Sequence, residues 1–198
     1  QVPLAGKRIP VMEQANKLGD LAAADRPISL PPVIANESWS QPGGAANNAP
    51  GHLALGQAIK TAWTADAGAG STAAGKLTAS PIVYDGKVFT LDANGRVSAF
   101  AASGGGAAWR VSTTPEGGKD HKGFGGGLAA DNGRLYAATG HGNVLALDPK
   151  TGKKIWEKNL GVPVRASPTA AGDRVFVVTF DGQTFALSGV DGNELWSF

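Results

Sequence analysis

GRLYAATGHGNVLALDPKTGKKIW, residues 133–156, recurs twice in this chain at the same length, as GKVFTLDANGRVSAFAASGGGAAW at 86–109 and DRVFVVTFDGQTFALSGVDGNELW at 173–196. Laid together without a gap, the copies share a basic second residue (Lys87, Arg134, Arg174) and an aromatic fourth (Phe89, Tyr136, Phe176). Glycine recurs at the tenth position (Gly95, Gly142, Gly182) and the twentieth (Gly105, Gly152, Gly192), alanine at the fourteenth (Ala99, Ala146, Ala186), and tryptophan closes each copy. Counting Trp63 upstream, successive tryptophans stand 46, 47 and 40 residues apart. A period of that size marks a solenoid, a propeller or an array, in which each unit buries its apolar surface only against its neighbours.

Each copy contains two short β-branched and aromatic runs, such as 87–92 and 96–101, parted by turn residues like Asn94 and Gly95. That is the signal of a hairpin. A second turn follows at Asp148-Pro149-Lys150-Thr151-Gly152, where proline presets one backbone angle and glycine accepts a positive φ. It leads to a last strand carrying the tryptophan. Two copies are preceded by the same Ala-Ser-Pro, with Pro81 and Pro168 each 28 residues before Trp109 and Trp196, which adds a first strand. Four antiparallel strands per repeat predict an all-β fold, the blade of a β-propeller, with Trp63, Trp109, Trp156 and Trp196 packing blade on blade.

In chain order, residues 1–57 are expected to form an extended N-terminal arm, since Pro27, Pro31, Pro32, Pro42 and Pro50 interrupt it and its polar composition does not fold alone. Trp39 is the residue able to pin it down. Residues 58–198 are read as a partial propeller. Within it, 58–65 is a closing strand with Trp63 in the last-strand position, and the blades cover about 77–111, 126–158 and 164–198. Propellers need about four to eight blades to close. Three blades and one orphan strand therefore predict either the N-terminal part of a longer protein or two chains that associate to complete a ring.

The formal net charge of +2, from 18 basic and 16 acidic residues, is too balanced to point to nucleic acid. No apolar run approaches the roughly 20 residues of a membrane-spanning helix. Cysteine is absent, which removes disulfides, thiolate metal sites and thiol nucleophiles from these residues. The opening Gln1-Val2-Pro3-Leu4 is not a charged and apolar leader, and is read as the start of a mature or trimmed chain.

ALDPKTGKKIW, with its relatives SAFAASGGGAAW and FALSGVDGNELW, resembles the repeat of the pyrroloquinoline-quinone-type propeller family. WSQPGG at 39–44, GHLALG at 51–56 and AWTA at 62–65 look like the start of the BamB-like proteins of alphaproteobacteria, and GKRIPV at 6–11 fits the arm preceding it. The likeness is collinear over nearly the whole chain. It implies an eight-bladed propeller in the complete protein, a periplasmic lipoprotein tethered to the outer membrane by a lipid anchor. Such a protein scaffolds the machinery that inserts outer-membrane β-barrels, with the other subunits of that machinery as partners. No cysteine stands in these residues to carry the lipid.

The same resemblance raises the alternative of a periplasmic quinoprotein dehydrogenase using pyrroloquinoline quinone and calcium. That chemistry needs carboxylate and amide oxygens converging on the metal, with an aspartate base. Tryptophans repeated in every blade are packing residues and do not supply it. Asp92, Asp148, Asp181 and Asp191 fall in or beside turns, where aspartate caps its own backbone. His52, His121 and His141 lack metal-ligand spacing. The glycine runs 123–127 and 104–106 are not followed by Lys-Ser/Thr and open no helix, so turns are the better reading. Ser80 and Ser167 belong to the repeated Ala-Ser-Pro and make poor nucleophiles. No catalytic, cofactor or metal residue is assigned. The candidate functional surface is the loop 112–125, in which Lys119, His121, Lys122 and Phe124 are the expected partner contacts; a solvated insertion is the competing reading.

Overall fold

The computed structural model of the chain describes residues 29–73, 75–115 and 125–198. Contacts divide the chain into two units, Gln1–Pro32 and Val33–Phe198, and the architecture that follows belongs to the second. Its regular structure is twelve strands in three antiparallel sheets of four. Blade one is β1 (Ile82–Tyr84), β2 (Lys87–Leu91), β3 (Arg96–Ala101) and β4 (Ala107–Ser112). Blade two is β5 (Gly126–Asp131), β6 (Arg134–Thr139), β7 (Asn143–Leu147) and β8 (Lys154–Asn159); blade three is β9 (Thr169–Ala171), β10 (Arg174–Val178), β11 (Thr184–Ser188) and β12 (Glu194–Ser197). Within each sheet the strands pair in chain order. The fold is all-β and of propeller type.

Each blade opens with a two-residue turn whose central residues both have positive φ: Asp85-Gly86, Asn132-Gly133 and Gly172-Asp173. These turns match the right-handed twist of the strands they join. Sheets stack because strand side chains alternate between two faces. In blade two Leu135, Ala137, Leu145 and Leu147 pack toward blade one, against Phe89, Leu91, Val97 and Ala99. The intervening Tyr136, Ala138, Val144 and Ala146 pack toward blade three, against Val175, Val177 and Leu187. The middle blade is covered on both faces, and all five residues of β7 are buried.

The shared repeat positions form one cross-strand row. Ala99 stands between Phe89 and Trp109, Ala146 between Tyr136 and Trp156, Ala186 between Phe176 and Trp196. The small alanine lets the two rings meet above it, with centroids 5.8, 6.0 and 6.1 Å apart. β5 touches β1 and β9, so the first strands converge, while the fourth strands β4, β8 and β12 are largely exposed.

Two segments before the blades depart from the sequence expectation. Residues 58–65, expected as a closing strand, carry no strand, because a strand needs a ladder and no described strand lies beside them. Trp63 nevertheless takes the interblade place that the repeat assigns to a tryptophan, donating from Nε1 to the Ala102 carbonyl at 2.9 Å. Residues 39–41, assigned to an extended arm, run across the first strands of all three blades. Trp39 exchanges two backbone hydrogen bonds with Val83 of β1, and the Ser40 carbonyl accepts from Ala130 of β5. The buried Gln41 side chain pairs with both backbone groups of Ala170 in β9, at 3.2 and 3.1 Å. An open strand edge is a template for unwanted pairing, and this strap closes three of them.

Candidate functional site

The boundary between blades one and two presents two openings to solvent. One is a cleft of about 1340 Å³ lined by Glu37, Tyr84, Asp85, Arg134, Lys150 and Lys153 among others. Its depth follows from the short turns on either side and from one interblade link, the Gly133 N–H donating to the Tyr84 hydroxyl at 2.9 Å. Arg134 is drawn toward blade three by an ion pair of 3.1 Å with Asp173. Lys154 pairs with Glu157 at 2.5 Å. On the third side, Asp148 accepts from the Lys150 N–H at 2.7 Å, and that bond holds its carboxyl below the usual carboxylate range.

The second opening, about 540 Å³, is lined by Val111, Thr113, Thr114, Pro115, Leu145 and Leu147 with Lys154 and Glu157 at its edge. Thr113 fixes its rim, donating from both its N–H (2.8 Å) and its hydroxyl (2.6 Å) to the Gly95 carbonyl. This groove adjoins the root of the loop singled out in the sequence. Lys119, His121, Lys122 and Phe124 themselves lie outside the described residues, so only the flanks of that loop are placed.

The four tryptophans are placed. Trp109 Nε1 donates to the Pro149 carbonyl at 3.1 Å, and Trp156 Nε1 to the Gly189 carbonyl at 2.9 Å. With Trp63 on Ala102, each indole thus reaches the carbonyl three residues before a glycine at the twentieth repeat position of the next blade. Trp196 is about half exposed and has no such partner among the described residues. Tyr136, beneath Trp156, donates its hydroxyl to Gly189, and burial pushes its pKa up. Gln41 had no reading of its own in the sequence; the Pro42-Gly43-Gly44 turn beside it was the available signal.

Among the described residues no three His, Asp or Glu stand together to hold a metal ion. Asp92 spends its carboxylate on the N–H groups of Ala69, Asn94 and Arg96, and Asp191 on Asn193. Calcium asks for about six to eight oxygen ligands, and the described residues bring no such set together.

Residues 93–198 match the model of a family described as outer membrane protein assembly factor BamB. The BamB of Nitrosomonas eutropha is 29% identical over 118 residues, which is 60% of this chain and 27% of that protein. Among solved structures, BamB from Moraxella catarrhalis superposes with a TM-score of 0.52 at 23% identity, over 62% of this chain and 35% of that one. A quinohemoprotein alcohol dehydrogenase from Pseudomonas putida gives 0.67 at 20% identity, over 83% and 27%. Both superpositions show the propeller fold. The chain spans about 27–30% of the length of curated relatives such as the Nitrosomonas protein.

Proposed function

The chain belongs to the family of the outer membrane protein assembly factor BamB, and on that premise we propose that it acts as a non-catalytic docking subunit of the machinery that assembles outer-membrane β-barrels. Its place is the periplasmic side of the outer membrane, held there by a lipid anchor. Its partners are the other protein subunits of that machinery. The loop 112–125, rooted beside the groove of Val111, Thr113 and Leu145, offers Lys119, His121, Lys122 and Phe124 as contacts.

The observation that carries a binding role over a catalytic one is the strap. Trp39, Ser40 and Gln41 take up edge groups of β1, β5 and β9, the first strands of the three blades. The dehydrogenase reading draws support from likeness to quinoproteins, including a quinoprotein ethanol dehydrogenase of Pseudomonas putida that is 43% identical over 58 residues. That stretch is 29% of this chain and 9% of that enzyme.

The experiment is purification of the tagged protein from detergent-solubilised envelopes, with mass spectrometry of co-eluting chains and an absorbance search for quinone. Recovery of barrel-assembly subunits without a chromophore is the expected result. Bound quinone with calcium, and no assembly subunits, overturns it.

A further inference from the structure

The three copies of the repeat act as controls for one another: a residue present in all of them builds the blade, and one present in a single copy is free for another use. At the eighteenth, twenty-first and twenty-second positions blade two alone carries lysine, as Lys150, Lys153 and Lys154. Blade one has Ser103, Gly106 and Ala107 there, and blade three Val190, Asn193 and Glu194. All three lysines line the cleft of about 1340 Å³ between blades one and two. Lys154 is held by Glu157, whereas the ammonium groups of Lys150 and Lys153 make no ion pair among the described residues. Asp148, beside them, turns its carboxylate to the Lys150 N–H.

The two blade boundaries also differ in how they are latched. Between blades two and three, Arg134 pairs with Asp173 at 3.1 Å and Asp131 accepts from the Asp173 N–H at 3.2 Å, so the charges there satisfy one another. Between blades one and two the matching positions hold Lys87, Gly133 and Tyr84, and the link is the neutral one from the Gly133 N–H to the Tyr84 hydroxyl. A phenol oxygen that accepts keeps its own proton to donate. Glu37 and Asp85 also line this cleft, both exposed and without an ion pair among the described residues. They mark its inner end, Glu37 just before the strap and Asp85 just after β1, while the lysines lead into the outer strand β8. The cleft is negative at its inner end and positive at its outer end.

Small-molecule sites are mostly apolar and hold about 300–1,000 Å³. This cleft is larger, and apart from Pro149 and Ile155 the side chains that line it are polar or charged. Such a space suits a length of polypeptide. We propose that the cleft docks an extended segment of a protein partner, with acidic residues at one end lying over Lys150 and Lys153 and a lysine or arginine at the other end reaching Glu37 and Asp85. Opposite charges at the two ends fix the direction in which the segment lies, and the Tyr84 hydroxyl is a donor for its backbone. The site stands where the blades carry their β1–β2 and β3–β4 turns. The loop 112–125 leaves from the other end, since Thr113 at its root bonds Gly95 in the β2–β3 turn. This docking site is therefore separate from that loop and independent of it.

Isothermal titration of the purified protein tests this with three synthetic peptides. The first is Glu-Glu-Glu-Ser-Gly-Ser-Lys-Lys, made in both chain directions; the second replaces its lysines by glutamate; the third has glutamine for every charged residue. The first is expected to bind best in one of its directions, the second more weakly and the third not at all. K150Q/K153Q should weaken the first by about three- to tenfold, the range for two exposed ion pairs. E37Q/D85N should weaken the first and tighten the second, because the inner carboxylates attract one peptide and repel the other. All four side chains are exposed, and asparagine tolerates the φ of 48° at position 85, so both variants are expected to fold. Equal binding of the three peptides, no binding of the first, or wild-type affinity in K150Q/K153Q overturns the proposal. Phosphatidylglycerol vesicles are the remaining probe: if they bind through the lysines and the first peptide does not, the cleft serves a membrane surface and the proposal fails.

Discussion

The indole of Trp109 lies so close to the backbone of Gly152 that a Cβ on the glycine would stand 2.7 Å from the ring. Trp156 meets Gly192 and Trp63 meets Gly105 in the same way, each at 2.6 Å. The twentieth and last positions of the repeat are therefore one contact, made across a blade boundary by neighbouring copies.

That contact separates two costs at glycine. Gly152 and Gly133 both have φ of 74°, but nothing lies within 4 Å of a Cβ built on Gly133. Gly133→Ala is expected to cost only the left-handed penalty, about 1–2 kcal/mol. Gly152→Ala adds overpacking against Trp109, about 1–3 kcal/mol more. Urea unfolding of the pair checks this; equal losses would mean that the ring moves aside freely.

The tryptophans should differ by their burial. Trp156 is 8% exposed and bonded to Gly189, whereas Trp196 is 48% exposed. Trp156→Ala is expected to cost about 3–5 kcal/mol and Trp196→Ala about 1 kcal/mol or less. Comparison of their unfolding free energies tests the assignment, and a similar loss in both would refute it.

Gln41→Ala strips the N–H and C=O of Ala170 of their side-chain partner and should cost roughly 1–3 kcal/mol. Amide hydrogen exchange gives the sharper readout: exchange at Ala170 should accelerate more than at Val175. Unchanged protection at Ala170 would show that the strap does not hold blade three.

Stability should fall at both pH extremes through groups of opposite sign. Burial raises the Tyr136 phenol above its ordinary value, so the unfolded chain releases that proton first. Its contribution is complete below the ordinary phenol range and is lost as pH rises through the raised value. Tyr136→Phe should flatten that alkaline limb. Asp148 is held low, chiefly by the Lys150 N–H, so its contribution is present above the ordinary carboxylate range and is lost as pH falls through the lowered value. Asp148→Asn should flatten the acid limb. Melting curves across pH that keep their slopes in both variants would discount these groups.

Much of the blade was legible because its determinants lie within one repeat. The aromatic, alanine and tryptophan recur since they form a single row across three strands, and the turn glycine recurs since only a residue without a Cβ admits the indole of the preceding blade. The type of the opening turns stood in Asp85-Gly86 and Asn132-Gly133, pairs that favour two positive φ values. The strap was not legible. Gln41 and Ala170 are 129 residues apart, and neither has neighbours that announce the pairing.

By itself the sequence determined the all-β class, the four-stranded unit and the tryptophan at each boundary, because periodicity, turn residues and side-chain alternation act over a few residues. Only the tertiary structure decided that residues 58–65 seat Trp63 without forming a strand, that residues 39–41 close three strand edges, and that the hydroxyls of Thr90 and Ser98 are buried without partners among the described residues. Those outcomes depend on which distant backbone groups are left unpaired once the blades have stacked, and local propensity does not encode that.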